Sequence, residues 1–141
     1  MILTKRKALT DCIRIWEGMR DKRYNALNGK QKVVDDIGLA GKYPFNCPAC
    51  GLAGQDKNGF PLCKKCILLN LWPYNKELVK DTLSRYRAYC PCEHNPNSPY
   101  LPFCEGRGTP ADAQRIVDGC KQALRVQPRR RKERANENIR T

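Results

Sequence analysis

The sequence predicts a small, mainly helical protein with little β structure and a disordered basic tail. Three observations lead to this fold class. Several segments repeat apolar residues at three- and four-residue spacing, as amphipathic helices do. Four cysteines form two Cys-x-x-Cys pairs. Only 40% of the 141 residues are hydrophobic, so the apolar core is expected to be modest. We expect a single domain over residues 1–127 and a tail over residues 128–141.

The first helix is predicted over about residues 5–27. Thr4 is suited to cap its start. One face carries a recurring apolar stripe of Leu9, Cys12, Ile13, Trp16, Met19 and Leu27. A Trp on such a stripe belongs to the core more often than it serves as a platform for stacking bases, so we expect Trp16 to be buried.

Asn28 and Gly29 are expected to end the first helix, and residues 30–42 to form a linker that can include a short helix. A second helix is predicted over about residues 76–89. Asn75 precedes it as a cap, and apolar and aromatic residues follow on one side.

The last helix is predicted over about residues 110–126. Thr109 is a capping residue, Pro110 takes the first helical position and Asp112 lies in the first turn. Its apolar stripe consists of Ala113, Ile116, Val117, Cys120 and Leu124. Pro128 is expected to stop the helix. The arginine-rich residues that follow have no apolar pattern and should be disordered in isolation.

Cys47, Cys50, Cys63 and Cys66 have the spacing of a tetrahedral thiolate zinc site, within a module over residues 45–72 that is similar to a zinc ribbon or zinc knuckle. Four thiolates close the coordination shell, so the Zn²⁺ would be structural and its binding energy would contribute to folding. A thioredoxin-type redox pair and a disulfide scaffold are the alternatives. The paired spacing favours the metal over both.

A second cluster over residues 90–104 contains Cys90, Cys92, His94 and Cys104. It predicts a second Zn²⁺ site, with two alternatives left open. In the first alternative the chain holds a single metal ion, and Cys90 or Cys92 replaces one of its four cysteine ligands. The second is a structural role, with Cys90 and Cys104 as small buried residues and His94 exposed. Cys12 and Cys120 lie on apolar helix faces, and we expect them in the core.

The chain is basic, with 27 Lys and Arg against 14 Asp and Glu and a formal net charge of +13. This charge favours polyanions as partners, although a merely soluble basic surface is the simpler alternative. We expect DNA or RNA to be bound through phosphate contacts. The residues predicted to make them are Lys57, Lys64, Lys65, Arg129, Arg130, Arg131, Lys132 and Arg134.

Enzymatic activity is not expected. The sequence has one His and lacks the phosphate-binding glycine loop, the nucleophile elbow and the His-Glu-x-x-His zinc motif. A zinc deaminase would need a His-x-Glu ahead of its cysteine pair, which the sequence also lacks. No apolar run of about 18 residues predicts a membrane span. Metal-binding thiolates survive in a reducing compartment, so we expect the protein in the cytoplasm.

The order of the motifs resembles a loose family of small zinc-binding proteins encoded by bacteriophages and prophages. The residues that carry the resemblance are Ala8, Leu9, Ile13, Trp16, Cys47 to Cys50, Cys63 to Leu68, Cys92, Ser98 to Tyr100, Thr109, Pro110 and Ile116. It covers roughly residues 4–126. Cys90, Cys104, the longer loops and the arginine-rich tail depart from the pattern. The resemblance implies a phage origin, a bacterial host and a zinc-stapled architecture, with no catalytic residue.

A protein-interaction factor is the alternative function. Such a factor would dock on a host RNA polymerase, nuclease or defence protein, or on a virion component. The candidate anchors are Trp72, Tyr74, Tyr100 and Phe103. We expect most of these aromatic residues to be buried in the core. The sequence leaves the oligomeric state open.

Overall fold

A long N-terminal helix, α1 (Lys5–Lys22), is the element against which the other helices pack. The structure, a computed structural model, describes residues 3–55, 57–58, 66–68, 71–72 and 96–140, and of residues 45 and 126–140 it describes the backbone alone. Thr4 caps α1 as predicted, because its hydroxyl accepts a hydrogen bond of 3.1 Å from the backbone N–H of Lys7. The described residues form helices, turns and loops with no strand, which confirms the mainly helical class.

The first helix ends earlier than predicted, at Lys22 instead of about residue 27. Arg23 adopts a left-handed conformation with φ of 58°, which terminates the helix. Asn28 and Gly29, expected to end α1, instead begin a second helix, α2 (Asn28–Asp36). The break at Arg23 lets α2 fold back and bury two adjacent valines of the expected linker against α1.

A short segment after α2 carries the first cysteine pair. A 3₁₀ turn (Pro44–Asn46) leads into α3 (Pro48–Ala53), with Cys47 as the N-cap residue and Pro48 in the first turn. Both α3 and the turn pack on the preceding helices, and Ala49 of α3 is completely buried. The Cys-x-x-Cys turn is therefore anchored to the helical core.

Aromatic rings join the C-terminal half to α1. Helix α4 (Tyr100–Cys104) places Tyr100 and Phe103 around Trp16, with ring centroids 4.9 and 5.0 Å from the indole. Trp72 makes an edge contact of 5.7 Å with Tyr100. All four rings are buried, so Trp16 belongs to the core as predicted, and three of the candidate docking anchors are core residues as well. Tyr74 lies outside the described residues.

The last helix, α5 (Pro110–Arg140), packs along α1 and completes the core. Thr109 caps it as predicted. Its Oγ1 accepts from the N–H of Asp112 at 3.1 Å, and the Asp112 carboxylate accepts from the N–H of Thr109 at 3.0 Å. Four residues of the predicted stripe, Ala113, Ile116, Val117 and Cys120, are completely buried, and the fifth, Leu124, is partly buried.

Helix α5 does not stop at residue 126 but continues through Pro128 to Arg140. The predicted end of this helix is therefore corrected, and the predicted disorder of residues 128–141 is not confirmed. A proline inside a helix costs about 3 kcal/mol because it removes one N–H donor. The Arg, Lys, Glu and Ala residues after Pro128 are good helix formers and favour continuation of the helix.

The predicted helix over residues 76–89 lies outside the described residues. Among the residues that are described, no helix combines the length and apolar character needed to cross a membrane.

Candidate metal centre

Cys47 and Cys50 lie at the start of α3, where the chain turns against α1. The N–H of Cys47 donates to the Pro44 carbonyl at 3.0 Å, and the Cys47 carbonyl accepts from Gly51 at 3.1 Å. Cys50 is 8% exposed, and Cys47 is half-buried. The local backbone thus brings two sulfurs together at the surface of the core, as a Cys-x-x-Cys chelate requires.

Two further cysteines approach this pair from the core. The thiol of Cys12 on α1 makes hydrogen-bonding contacts with Cys47 and with Cys120 of α5. Cys47 in turn accepts hydrogen bonds from Cys12 and from Cys50. Cys12 therefore lies near both Cys47 and Cys120. Cys12 and Cys120 are buried as predicted.

The cysteine environment favours a thiolate at Cys47. Hydrogen bonds from Cys12 and Cys50 lower the pKa of Cys47 well below its usual value, and the nearby charge of Lys30 and the N–H of Cys50 act in the same direction. Hydrogen bonding to Cys120 and Cys47, together with burial, raises the pKa of the Cys12 thiol.

A buried carboxylate fixes the chain just ahead of the pair. Asp11 is completely buried, and it accepts hydrogen bonds from the Tyr43 hydroxyl at 2.5 Å and from Lys7 Nζ at 3.0 Å. Arg14 adds an ion pair at 3.7 Å. Asn46 donates to Gln31 of α2 at 2.7 Å. These contacts hold the backbone on both sides of the 3₁₀ turn before Cys47.

The remaining predicted ligands are divided between described and undescribed parts of the chain. Cys66 is 8% exposed and belongs to the core cluster of buried residues. Cys63 lies outside the described residues. Within the described segments, no three His, Cys, Asp or Glu side chains form a group that could hold a metal ion. The donor chemistry at Cys47 and Cys50 fits Zn²⁺, but among the described residues Cys66 does not join this pair in a group that could hold the ion.

The structure describes one residue of the second cysteine cluster, Cys104. Cys104 ends α4 and is exposed, so the alternative in which it is a small buried residue does not hold. Cys90, Cys92 and His94 lie outside the described residues. The second site therefore stays a prediction.

The predicted phosphate contacts are likewise only partly described. Lys57 is exposed in the loop after α3. Residues 129–134 belong to the backbone of α5. Lys64 and Lys65 lie outside the described residues.

Two residues of this region, Asp11 and Lys30, were not predicted from the sequence. Asp11 lies between apolar positions of α1, and its burial follows from the return of the chain at Tyr43, which local periodicity does not report. Lys30 fell in a segment interpreted as a linker, yet it is 8% exposed. The only sequence signal for the burial of these two residues is that a charged residue lies among the apolar positions of a helix.

No protein-family model matches the chain. No curated protein and no solved structure shows significant similarity to it either. The similarity to phage-encoded zinc proteins thus stays an expectation from the order of the motifs.

Proposed function

We propose that this chain is a non-catalytic zinc-binding protein that binds nucleic acid through its basic surface and its arginine-rich C-terminal segment. The observation that carries the proposal is the excess of 27 basic over 14 acidic residues, with five basic residues within positions 129–134. Such an excess attracts the phosphate backbone at long range.

The described surface supports the proposal through its exposed cationic side chains. Each lies on a helix or in a loop with its side chain open to solvent, and together they are Arg6, Lys7, Arg14, Lys22, Arg23, Lys32, Lys42, Lys57, Arg107, Arg115, Lys121 and Arg125. Contacts of this kind position a protein on phosphates without reading base edges. We therefore expect affinity with little sequence preference.

The metal has a structural role in this proposal. Cys47, Cys50, Cys63 and Cys66 would hold one Zn²⁺, which supplies a closed tetrahedral cross-link and no open position for chemistry. The turn at Cys47 and Cys50 and the contacts that favour a thiolate at Cys47 support these two residues as ligands. The zinc would offset the small size of the apolar core.

The test is nucleic-acid binding by the full chain as a function of salt. We expect fluorescence anisotropy with labelled single-stranded DNA, duplex DNA and RNA of random sequence to show affinity that falls steeply with salt concentration. On duplex DNA, each phosphate contact contributes a slope of about 0.9 in log K against log salt.

A matched variant replaces the five basic residues Arg129, Arg130, Arg131, Lys132 and Arg134 by Gln. Gln has a helix propensity close to that of Arg and Lys, so the backbone of α5 should be retained. We expect the slope on duplex DNA to decrease by up to about 4.5. Replacing Lys121 and Arg125 by Gln provides a control with two charges fewer and the arginine-rich segment intact.

Salt-independent or undetectable binding to all three nucleic acids would contradict the proposal. It would favour the interaction factor that docks on a host enzyme or virion component in the cytoplasm of a bacterium. In that case the five-fold Gln variant would still bind its protein partner, because that contact would not depend on phosphates.

A further inference from the structure

Helix α5 runs antiparallel to α1 and extends past it. Just before α5 begins, the N–H of Gly108 donates to the carbonyl of Asn25, which follows α1, at 3.0 Å. Further along α5, Arg20 Nη1 of α1 donates to Gln114 Oε1 at 2.6 Å. Both helices rise about 1.5 Å per residue, so the first residue of α1 is level with about position 129 of α5. The C-terminal extension of α5, residues 129–140, is about 16 Å long and lies beyond the start of α1.

The face of α5 that packs against α1 becomes cationic in the C-terminal extension. In the first half of the helix this face is apolar, with Ile116 completely buried and Leu124 partly buried. Arg134 follows Ile116 by 18 residues, which is about five helical turns. Arg131 follows Leu124 by seven residues, which is about two turns. Helical register therefore places this arginine pair on the face that is apolar earlier in the helix.

The opposite face of the extension is cationic as well. Arg129 and Lys132 follow the exposed Arg125 by four and seven residues, so they continue its side of the helix. The midpoint of this second pair lies about 160° around the helix axis from the midpoint of the first pair. Arg130 lies between the two pairs. A helix that rests on one row of phosphates needs cations on one side only, whereas this extension carries them on opposite sides.

A groove with phosphates on both sides matches this distribution of charge. The major groove of B-form DNA is about 12 Å wide and admits an α-helix, whose diameter with side chains is about 10–12 Å. The major groove of A-form RNA is deeper and narrower. Proteins that bind single strands stack the bases on accessible aromatic rings. Helix α5 contains no aromatic residue, and the core buries the rings of Trp16, Trp72, Tyr100 and Phe103.

We propose that the C-terminal extension of α5 inserts into the major groove of duplex DNA and contacts the phosphates of both strands. This inference rests on the proposed function, nucleic-acid binding, and names duplex DNA as the ligand. Arg129 and Lys132 contact one wall of the groove, and Arg131 and Arg134 contact the other. Because both walls are anionic, each pair contributes equally to the salt dependence of binding.

The first test removes two charges from either side of the extension of the full chain. One double variant is Arg129→Gln with Lys132→Gln, and the other is Arg131→Gln with Arg134→Gln. Gln retains the helix propensity of both pairs. In fluorescence anisotropy with a short labelled DNA duplex, we expect each double variant to lower the slope of log K against log salt by about 1.8. We also expect the unmodified chain to bind this duplex more tightly than the matching single strand or RNA duplex.

A matched control removes two charges far from α5. Lys32→Gln with Lys42→Gln changes two exposed residues, one on α2 and one in the loop after it. We expect this control to change the slope much less than either double variant of the extension. An equal change would show that binding is spread over the whole surface, which would contradict groove insertion.

A second comparison tests whether the helix itself is required. Glu133→Pro adds a proline to the extension and weakens the helix, whereas Glu133→Gln removes the same charge and retains the helix. If a continuous helix fills the groove, the affinity of Glu133→Pro for duplex DNA is up to about 100-fold lower than that of Glu133→Gln. Their affinities for a single strand should be equal. Position 133 lies nine residues beyond Leu124, so urea unfolding should give both variants the same core stability.

The outcomes separate groove insertion from the function on which it rests. If no salt-dependent binding to duplex DNA, single-stranded DNA or duplex RNA is observed, nucleic-acid binding is refuted and groove insertion with it. Three results overturn groove insertion alone and leave the proposed function in place. They are a slope that only one of the two double variants lowers, tighter binding of the single strand or RNA duplex, and equal duplex affinity of Glu133→Pro and Glu133→Gln.

Discussion

The hydroxyl of Tyr43 donates a hydrogen bond of 2.5 Å to the buried carboxylate of Asp11. The next residue on α1, Cys12, contacts the sulfur of Cys47, which lies four positions after Tyr43. Two adjacent side chains of α1 therefore hold the start of the cysteine turn. Asp11 holds Tyr43 in the loop before the turn, and Cys12 contacts the sulfur of Cys47. Stability of the helical core and geometry of the metal centre should be coupled through this contact.

Tyr43→Phe should destabilise the fold, because Asp11 would lose a hydrogen-bond donor while remaining buried. Hydrogen bonds to charged groups contribute about 1.5–3 kcal/mol, and we expect a loss in that range from urea unfolding. Tyr24→Phe is the control, since the Tyr24 ring packs against Gly29 and is retained in the variant. An equal effect of both substitutions would contradict the role assigned to the Tyr43 hydroxyl.

Stability should also depend on pH through Tyr43. Burial, followed by the hydrogen bond to Asp11, raises the pKa of Tyr43 to about 12. A tyrosine in the unfolded chain titrates near about pH 10. Because the folded pKa is higher, this stabilisation is complete below about pH 10 and is lost as the pH rises towards about 12. Urea midpoints across this range should fall more in the unmodified chain than in Tyr43→Phe. Parallel curves would refute the shift.

Gly18→Ala should destabilise the contact between α1 and α2. A Cβ atom at Gly18 would overlap Cγ1 of Val33, which is buried on α2. Overpacking costs about 1–3 kcal/mol, whereas Ala in a helix interior gains about 1 kcal/mol over Gly. We expect a net loss of about 1 kcal/mol in thermal or urea unfolding. In the double variant with Val33→Ala the two losses should be less than additive, and strict additivity would contradict the close approach.

Thr109→Ala should weaken the start of α5. The substitution removes the acceptor for the Asp112 N–H, and loss of an N-cap costs about 1 kcal/mol. Thr10→Ala in α1 is the control, because the Thr10 hydroxyl donates only to the Arg6 carbonyl within the same helix. We expect the control to be neutral or slightly stabilising in urea unfolding. If the two variants have equal stability, the cap does not contribute to stability.

Local signals in the sequence predict much of the helical framework. Thr4 and Thr109 are caps because a hydroxyl at those positions can satisfy an N–H of the first turn, and Trp16 is core because of helical periodicity. The left-handed turn at Arg23 could not be predicted, since a residue without glycine's freedom rarely adopts it. Helix α5 continues beyond Pro128 because the residues that follow have high helix propensity, which outweighs the tendency of proline to end a helix.

The sequence predicts ligands for the candidate site but not their surroundings. The spacing predicts Cys47 and Cys50 as a chelating pair. The approach of Cys12 to Cys47 joins positions 35 residues apart through helix packing, which no local pattern reports. Lys30 and Asp11 are buried for the same reason. Polar residues that depend on tertiary contacts are therefore the part that required the structure.

The most direct test of the account is native mass spectrometry of the full chain, purified from bacteria without added metal and measured before and after excess chelator. We predict one firmly bound Zn²⁺ per chain, absent from Cys47→Ser, and loss of helical circular dichroism when the ion is removed. A chain that is metal-free as purified, keeps its helical signal in chelator and allows Cys47, Cys50, Cys63 and Cys66 to be alkylated without unfolding would contradict the account.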